Sequence, residues 1–168
     1  LSQHASCYVN DAFGTAHRAH ASTTVVAKYF ENKFFGKLLE KEVLALKKVM
    51  SNGASPILAV LGGAKISSKI PIIENIIEKV DDIIIAGGMS FTFIKALGGK
   101  IGLSIHEDSM TRKALSILEL AEQKNTKIHL PVDVVCAKEF KEGAESKIFA
   151  INSISDEYQG LDSGPKSL

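Results

Sequence analysis

The chain has 168 residues, and its 20 basic and 19 acidic side chains give a formal net charge of +1. This balance excludes a broad electrostatic field that would attract nucleic acid or an anionic membrane, so any bound anion must be held by a local site. Hydrophobic residues make up 45% and charged residues 23% of the chain, which excludes a disordered segment and predicts packed globular structure over most of the length.

The cysteines and the chain ends bear on cellular location. Cys7 and Cys136 lie far apart without CxxC spacing, which predicts reduced, buried thiols in a cytoplasmic protein. The apolar stretches are too short to cross a bilayer, and the N-terminus lacks a basic region followed by an apolar run.

Because the sequence begins at Leu1 without Met and ends at Leu168 without closing an element, we expect both ends to be cut.

The first part of the chain is predicted to contain one short strand and two helices. Residues 7–10 form the strand, and a turn then leads to a histidine-rich helix start at His17-Arg18-Ala19-His20. Apolar residues recur at helical spacing from Leu39 to Met50, which predicts a helix over 36–50. Ser51-Asn52-Gly53 ends this helix, because Asn and Gly both tolerate the left-handed conformation found at helix C-termini. The helix is the natural connector between the N-terminal segment and the remainder of the chain.

After Pro56 the pattern changes to short apolar runs that alternate with amphipathic helices. Strands are predicted over 57–61, 83–86, 127–130 and 132–136, and helices run to about residue 80, over 89–97 and over 110–124. Such alternation is typical of βαβ units. The predicted fold class is therefore α/β, with a Rossmann-like parallel sheet and helices on both faces.

Two predicted strands end in the same way, one at Gly62-Gly63 and the next at Gly87-Gly88. Ligands of open α/β sheets bind outside the carboxyl ends of the strands, where glycine lets a ligand approach the backbone. A single Gly-Gly pair is as readily explained by a tight turn. Two pairs on neighbouring strands indicate a binding crevice.

Lys65 and Lys69 follow the first glycine pair, close to the start of the next helix. Cations at a helix N-terminus oppose the helix dipole, so this pair makes better sense if a phosphate lies between the lysines and free backbone amides. An isoleucine stripe from Ile66 to Ile77 points both lysines away from the core. Pro71 suits only the first helical turn, so the regular helix is expected to begin near Lys69. A solvated lysine pair remains the alternative interpretation.

Known phosphate-binding motifs are absent from this segment. Neither GxxxxGK[ST] nor GxGxxG occurs, which argues against a nicotinamide-dependent oxidoreductase on a similar sheet. The His17-Arg18-Ala19-His20 cluster offers a guanidinium for a phosphate or carboxylate, or is simply a solvated helix start. Metal binding by His17 and His20 is disfavoured, because no further ligand completes a tetrahedral set.

Taken together, these motifs resemble the phosphoglycerate kinase family over essentially the whole chain. The most specific segment is Tyr8-Val9-Asn10-Asp11-Ala12-Phe13-Gly14-Thr15-Ala16-His17-Arg18-Ala19-His20-Ala21-Ser22. It is followed, in the family's order, by Leu61-Gly62-Gly63-Ala64-Lys65, Ser68-Lys69-Ile70, Gly87-Gly88-Met89-Ser90-Phe91-Thr92-Phe93, Leu130-Pro131-Val132-Asp133 and Gly160-Leu161-Asp162-Ser163-Gly164-Pro165.

The resemblance implies transfer of a phosphoryl group from 1,3-bisphosphoglycerate to ADP, giving 3-phosphoglycerate and ATP, with Mg²⁺ accompanying the nucleotide. Arg18 would bind the substrate phosphate, Lys65 would stabilise the transferring phosphoryl group, and Lys69 would contact nucleotide phosphates. The residues implied to line the nucleotide crevice are Gly63, Ala64, Gly87, Gly88, Gly160 and Leu161.

The resemblance also implies a division of the chain into parts of a larger enzyme. Residues 1–35 would end the substrate-binding domain, 36–52 would form the interdomain helix about which the family closes, and 53–168 would begin the nucleotide-binding domain. The arginines that complete the substrate site, a glycine-rich loop and the magnesium aspartate are missing. We therefore expect the 168 residues alone to be inactive, and a non-catalytic nucleotide-binding module is the alternative.

The parent enzyme would be a monomer. We also expect exposed apolar surface where the absent half would pack.

Overall fold

The computed structural model describes residues 1–52 and 55–168, with the backbone only at Asn52, and divides the chain into two compact units. These units are Leu1–Ala54 and Ser55–Leu168. The predicted helix stop at Gly53 lies outside the described residues. In the described part of the chain, no helix has both the length and the apolar character needed to cross a bilayer.

The first unit contains a small parallel sheet and one long helix. Strand β1 (Tyr8–Asn10) pairs in parallel with β2 (Lys33–Phe35), and helix α1 spans Lys37–Asn52. The Asp11 carboxylate accepts a hydrogen bond of 2.8 Å from the Leu39 amide in the first turn of α1, which satisfies a donor without an intrahelical partner. The predicted strand and long helix are confirmed, whereas β2 was not predicted.

The predicted histidine-rich helix start is wrong. The backbone turns and bends at His17 and Arg18, after a short 3-10 helix at Phe13–Thr15, and the chain becomes helical again in a π-helical turn at Ala21–Val25 that continues into a 3-10 helix at Val26–Tyr29. The physical reason lies in two threonines of that turn, Thr23 and Thr24, whose hydroxyls donate to the Arg18 carbonyl at 3.3 and 2.9 Å. Side-chain donors of this kind take backbone acceptors away from a regular helix.

The second unit contains three α-helices and eight strands among its described residues 55–168. In chain order the strands are β3 (Leu58–Gly62), β4 (Asp82–Ala86), β5 (Lys100–Ile101), β6 (Lys127–His129), β7 (Asp133–Ala137), β8 (Ser146–Ala150), β9 (Ser153–Ile154) and β10 (Gln159–Ser163). The helices are α2 (Ile70–Ile76), α3 (Met89–Ala96) and α4 (Thr111–Gln123). Strands β3, β4 and β6 form a parallel sheet in the order β3-β4-β6, which confirms the predicted α/β class.

One face of this parallel sheet is packed against the helices of the unit. Ile83 and Ile85 of β4 are fully buried there with Ile66 and Ile73, as the isoleucine stripe predicted. Alternate residues point to the opposite face. On that face Val60 is 64% exposed, so the second unit by itself leaves apolar sheet surface uncovered.

The strand predicted as the last of the parallel sheet belongs to a different sheet. β7 lies between β10 and β8 and pairs with both in antiparallel orientation. The connection between β7 and β8 covers only residues 138–145, which is too short for the crossover that parallel neighbours require. A second small core, which includes Phe91, Val134 and Tyr158, packs this antiparallel sheet against α3.

Candidate functional site

The two predicted glycine pairs lie directly against each other. Gly62 and Ala86 are paired at the ends of β3 and β4, and the Met89 amide donates to the Gly63 carbonyl at 2.8 Å. Gly87 has φ +69°, and a Cβ built there would lie 3.2 Å from the Gly63 nitrogen and oxygen. Glycine is thus needed both for the left-handed backbone and for the close approach of the two turns.

Lys65 and Lys69 lie on the segment that leaves this pair of turns. Lys65 is exposed in the loop, whereas α2 begins one residue after Lys69, with Pro71 in its first turn. This start agrees with the limit set by the proline. The Lys69 side chain folds back toward the first turn, because its Cε lies 3.9 Å from a Cβ built on Gly63. The Lys69 side chain is therefore near the first glycine turn, and Lys65 lies two residues after that turn in the chain.

An acidic residue that the sequence did not single out touches the same loop. The Glu107 carboxylate accepts hydrogen bonds from the Ser67 amide at 2.9 Å and from the Ser67 hydroxyl at 2.7 Å. These bonds lower the pKa of Glu107, and the positive charge of Lys65 adds to the effect. The Ser67 amide is therefore already occupied, so the expectation of free amides between the lysines is wrong at this position.

Gly160 and Leu161 lie on β10, and side chains of α3 connect them to the glycine turns. The Gly160 amide donates to the Ser104 hydroxyl at 2.8 Å, and any Cβ at Gly160 would clash with the Phe91 ring. Leu161 and Gly87 line the same small cavity of about 20 Å³. That volume suits one water molecule rather than an adenine ring. A nucleotide base must therefore lie outside this cavity or widen it.

A buried carboxylate fixes the segment that comes after β10. Asp133 is only 4% exposed. It accepts hydrogen bonds from the Ser167 hydroxyl at 2.6 Å and from the Lys166 amide at 3.1 Å. Burial acts to raise the pKa of Asp133, but the hydrogen bonds from Ser167 and Lys166 outweigh it and leave the pKa lowered. The Leu130-Pro131-Val132-Asp133 and Gly164-Pro165 motifs thus meet in space, which the sequence alone does not show.

Arg18 belongs to the first unit and is exposed on its turn. Its Nε donates to His17 Nε2 at 3.3 Å, so this imidazole nitrogen acts as the acceptor. With the carbonyl of Arg18 held by threonine hydroxyls, the guanidinium is presented from a fixed backbone. Its remaining N–H groups are suited to an anion.

Metal-ligating side chains do not converge in the part of the chain that the structure describes. No group of three or more His, Cys, Asp or Glu side chains there could hold a metal ion. A groove of about 560 Å³ lies on the uncovered face of the parallel sheet, where His129 and Asp82 form a contact of 2.6 Å. Neither the glycine pairs nor the two site lysines line this groove.

Known proteins are similar to this chain in sequence and in fold. The family described as "Phosphoglycerate kinase" matches residues 1–168. A curated phosphoglycerate kinase of Porphyromonas gingivalis is 48% identical over 170 residues, which cover 100% of this chain and 41% of the relative. The chain therefore spans about two fifths of that relative's length.

Solved structures give the same result. A phosphoglycerate kinase from Coxiella burnetii matches with a TM-score of 0.83 and 41% identity, covering 98% of this chain and 42% of that one. The enzyme from Pyrococcus horikoshii matches with a TM-score of 0.76 and 27% identity, covering 96% of this chain and 41% of that one. The chain belongs to the phosphoglycerate kinase family.

Proposed function

We propose that this chain is the central part of a phosphoglycerate kinase, a phosphotransferase that moves a phosphoryl group reversibly between 1,3-bisphosphoglycerate and ADP. The observation that best supports this function is the contact between the two glycine turns at the carboxyl ends of β3 and β4, with the Lys69 side chain close to Gly63 and Lys65 in the loop that follows it. A phosphate chain bound there meets two amines and a backbone without Cβ atoms. Family membership supplies the reaction.

The proposed chemistry is a single displacement at phosphorus. An oxygen of the terminal ADP phosphate attacks the acyl phosphate, a P–O bond to ADP forms, and the P–O bond to the carboxyl group breaks. The electron pair of the broken bond leaves on the carboxylate of 3-phosphoglycerate. Charge spreads over the transferring oxygens during this step, so a positioned cation such as Lys65 stabilises the transition state.

The other predicted residues have complementary roles in this proposal. Arg18 binds the phosphate of the three-carbon substrate through its guanidinium, and Lys69 contacts the nucleotide phosphates. Gly63, Ala64, Gly87, Gly88, Gly160 and Leu161 line the nucleotide crevice. As the family resemblance implies, Mg²⁺ would arrive with the nucleotide, and none of these roles depends on it. We also propose a cytoplasmic location and a monomeric parent enzyme.

We propose that the 168 residues alone do not catalyse this transfer. The chain spans 41% of the relative's length, and the sequence lacks the arginines, the glycine-rich loop and the magnesium aspartate that the family resemblance implies. A coupled ATP-forming assay tests whether the isolated chain is inactive. Steady ATP formation by the isolated chain would contradict its proposed inactivity, whereas nucleotide binding without turnover fits both a kinase fragment and a non-catalytic module.

Calorimetric titration of the 168-residue chain with ADP tests the nucleotide site. A hydrogen bond to a charged group contributes about 1.5 to 3 kcal/mol, so Lys65→Ala and Lys69→Ala should each weaken ADP binding by about 10- to 100-fold. Lys79→Ala is the matched control, because Lys79 is also exposed but lies beyond the other end of α2. Equal losses in all three variants would contradict the proposed site.

A further inference from the structure

We infer that Glu107 is a positioning residue, whose carboxylate holds the Lys65–Lys69 loop in the conformation that receives nucleotide phosphates. The inference rests on the proposed function and extends it to a residue outside the glycine and lysine motifs. Glu107 would act through the loop and would not touch the nucleotide. The contacts of the loop, the support behind Glu107 and the charge balance each bear on this role.

The loop is held at two adjacent points. Ile66 is fully buried in the core, and Ser67 is bound by the Glu107 carboxylate through both its amide and its hydroxyl. Lys65 immediately precedes this pair of anchors. Because Ile66 is fixed by apolar packing and Ser67 by hydrogen bonds, the backbone torsions that direct the Lys65 side chain are restricted. Without the carboxylate, Ser67 loses its side-chain anchor, while Ile66 keeps its apolar contacts.

Glu107 is itself held on a rigid element. Its amide donates to the hydroxyl of Thr92 at 3.1 Å, and Thr92 is fully buried in α3. The residues on either side are also fixed to α3, because Lys95 contacts His106 at 2.8 Å and Asp108 at 2.7 Å. Since α3 begins directly after Gly87-Gly88, Glu107 connects the loop of the first glycine pair to the helix of the second.

The charge balance favours positioning over simple repulsion of phosphate. A free carboxylate near two phosphate-binding lysines would weaken phosphate binding, but this one is compensated by two donors from Ser67 and by the nearby charge of Lys65. Because the Ser67 amide is occupied, it cannot bind phosphate, and the lysine side chains contribute more of the attraction. Their placement, which depends on the loop, therefore decides the affinity.

The test compares Glu107→Ala and Glu107→Gln in the 168-residue chain, with Glu157→Gln as control. Glu157 is likewise a glutamate whose carboxylate accepts a short contact, but it is exposed and its partner is Lys138 beside the antiparallel sheet. Glu107→Ala should weaken ADP binding about tenfold, while adenosine, which lacks phosphates, should bind as before. Glu107→Gln keeps an acceptor for the Ser67 amide, so it should restore most of the ADP affinity. The control should change neither ligand's affinity.

Three outcomes overturn the inference. Equal loss of ADP and adenosine affinity would mean that Glu107 merely supports the fold. Tighter ADP binding in Glu107→Ala would mean that the carboxylate acts only as a repulsive charge. The third outcome comes from amide hydrogen exchange in the ligand-free chain. The inference requires Glu107→Ala to speed exchange of the Ser67 amide. An unchanged exchange rate would show that the carboxylate does not hold the loop.

Failure of the proposed function gives a different result. If the unmodified chain binds neither ADP nor adenosine, the proposed nucleotide site fails. The positioning of the loop is then decided by Ser67 exchange together with the rate of Lys65 acylation, measured by mass spectrometry. Faster Ser67 exchange with a changed Lys65 rate in Glu107→Ala would support the positioning role, and no change in either would refute it.

Discussion

The contact between the two glycine turns predicts that Gly87→Ala disturbs the site more than an equally strained substitution elsewhere. Gly98 provides the matched control. Both glycines have left-handed backbones, with φ +69° at Gly87 and +86° at Gly98, but a Cβ at Gly98 meets nothing within 4 Å. A Cβ at Gly87 instead lies 3.2 Å from the backbone nitrogen and oxygen of Gly63. The difference between the two variants isolates that contact.

The size of each effect depends on these environments. An L-residue in the left-handed region costs about 1 to 2 kcal/mol, which both variants share. Overpacking against the Gly63 backbone adds about 1 to 2 kcal/mol at Gly87 alone. At about 3 °C per kcal/mol for a chain of this size, Gly98→Ala should lower the melting temperature by about 3 to 6 °C and Gly87→Ala by about 6 to 12 °C.

Thermal unfolding by circular dichroism measures these shifts, and calorimetry with ADP measures the effect on the site. Gly87→Ala should also weaken ADP binding, because the Gly63 backbone must move away from the inserted methyl group. Gly98→Ala should bind ADP like the unmodified chain at temperatures where both are folded. Equal melting temperatures and equal ADP affinities for the two variants would refute the proposed effect of the close approach of the turns.

Three further predictions concern acid stability, thiol reactivity and self-association. Burial opposes ionisation of Asp133, but the hydrogen bonds from Ser167 and Lys166, together with the positive charge of Lys166, outweigh it, and the folded pKa is lowered. The stabilisation is therefore complete above the unfolded pKa of about 3.9 and is lost as the pH falls through the folded pKa. In urea denaturation, Asp133→Asn should be less stable at pH 7 and lose less on acidification, and an equal acid loss would contradict this. Burial raises the pKa of Cys136 to about 11, whereas Cys7 is exposed. A thiol reagent at pH 8 should therefore modify only Cys7 in the native chain, and labelling of both would be the contrary result. Val60 is 64% exposed on the uncovered sheet face, so Val60→Thr should reduce self-association in sedimentation experiments, and an unchanged distribution would count against that face.

Local sequence patterns predicted the features of the fold that depend on residues close together in the chain. The isoleucine stripe predicted which side of α2 is buried, because side chains three or four residues apart share a helix face. Pro71 correctly limited where that helix begins. The prediction of buried thiols holds for Cys136 and is wrong for Cys7, since no apolar pattern surrounds the N-terminal cysteine.

Contacts over long separations were beyond the sequence patterns. Glu107 lies 40 positions from Ser67, and an isolated glutamate in a loop has no signature that names its partner. Strand β10 was missed because it contains Gly160 and Asp162, which are uncommon in strands, so only its antiparallel pairing with β7 defines it. The histidine-rich segment was misjudged because threonine hydroxyls take its backbone acceptor.

The most direct test of the nucleotide site is an amide chemical-shift titration of the 168-residue chain with ADP. We expect saturable shifts at Gly63, Ala64 and the Gly87-Gly88 turn, with further shifts at Gly160 and Leu161. Saturable shifts confined instead to the groove on the uncovered sheet face, around Leu58, Ile84 and His129, would contradict the proposed site, as would no saturable shift at the glycine turns.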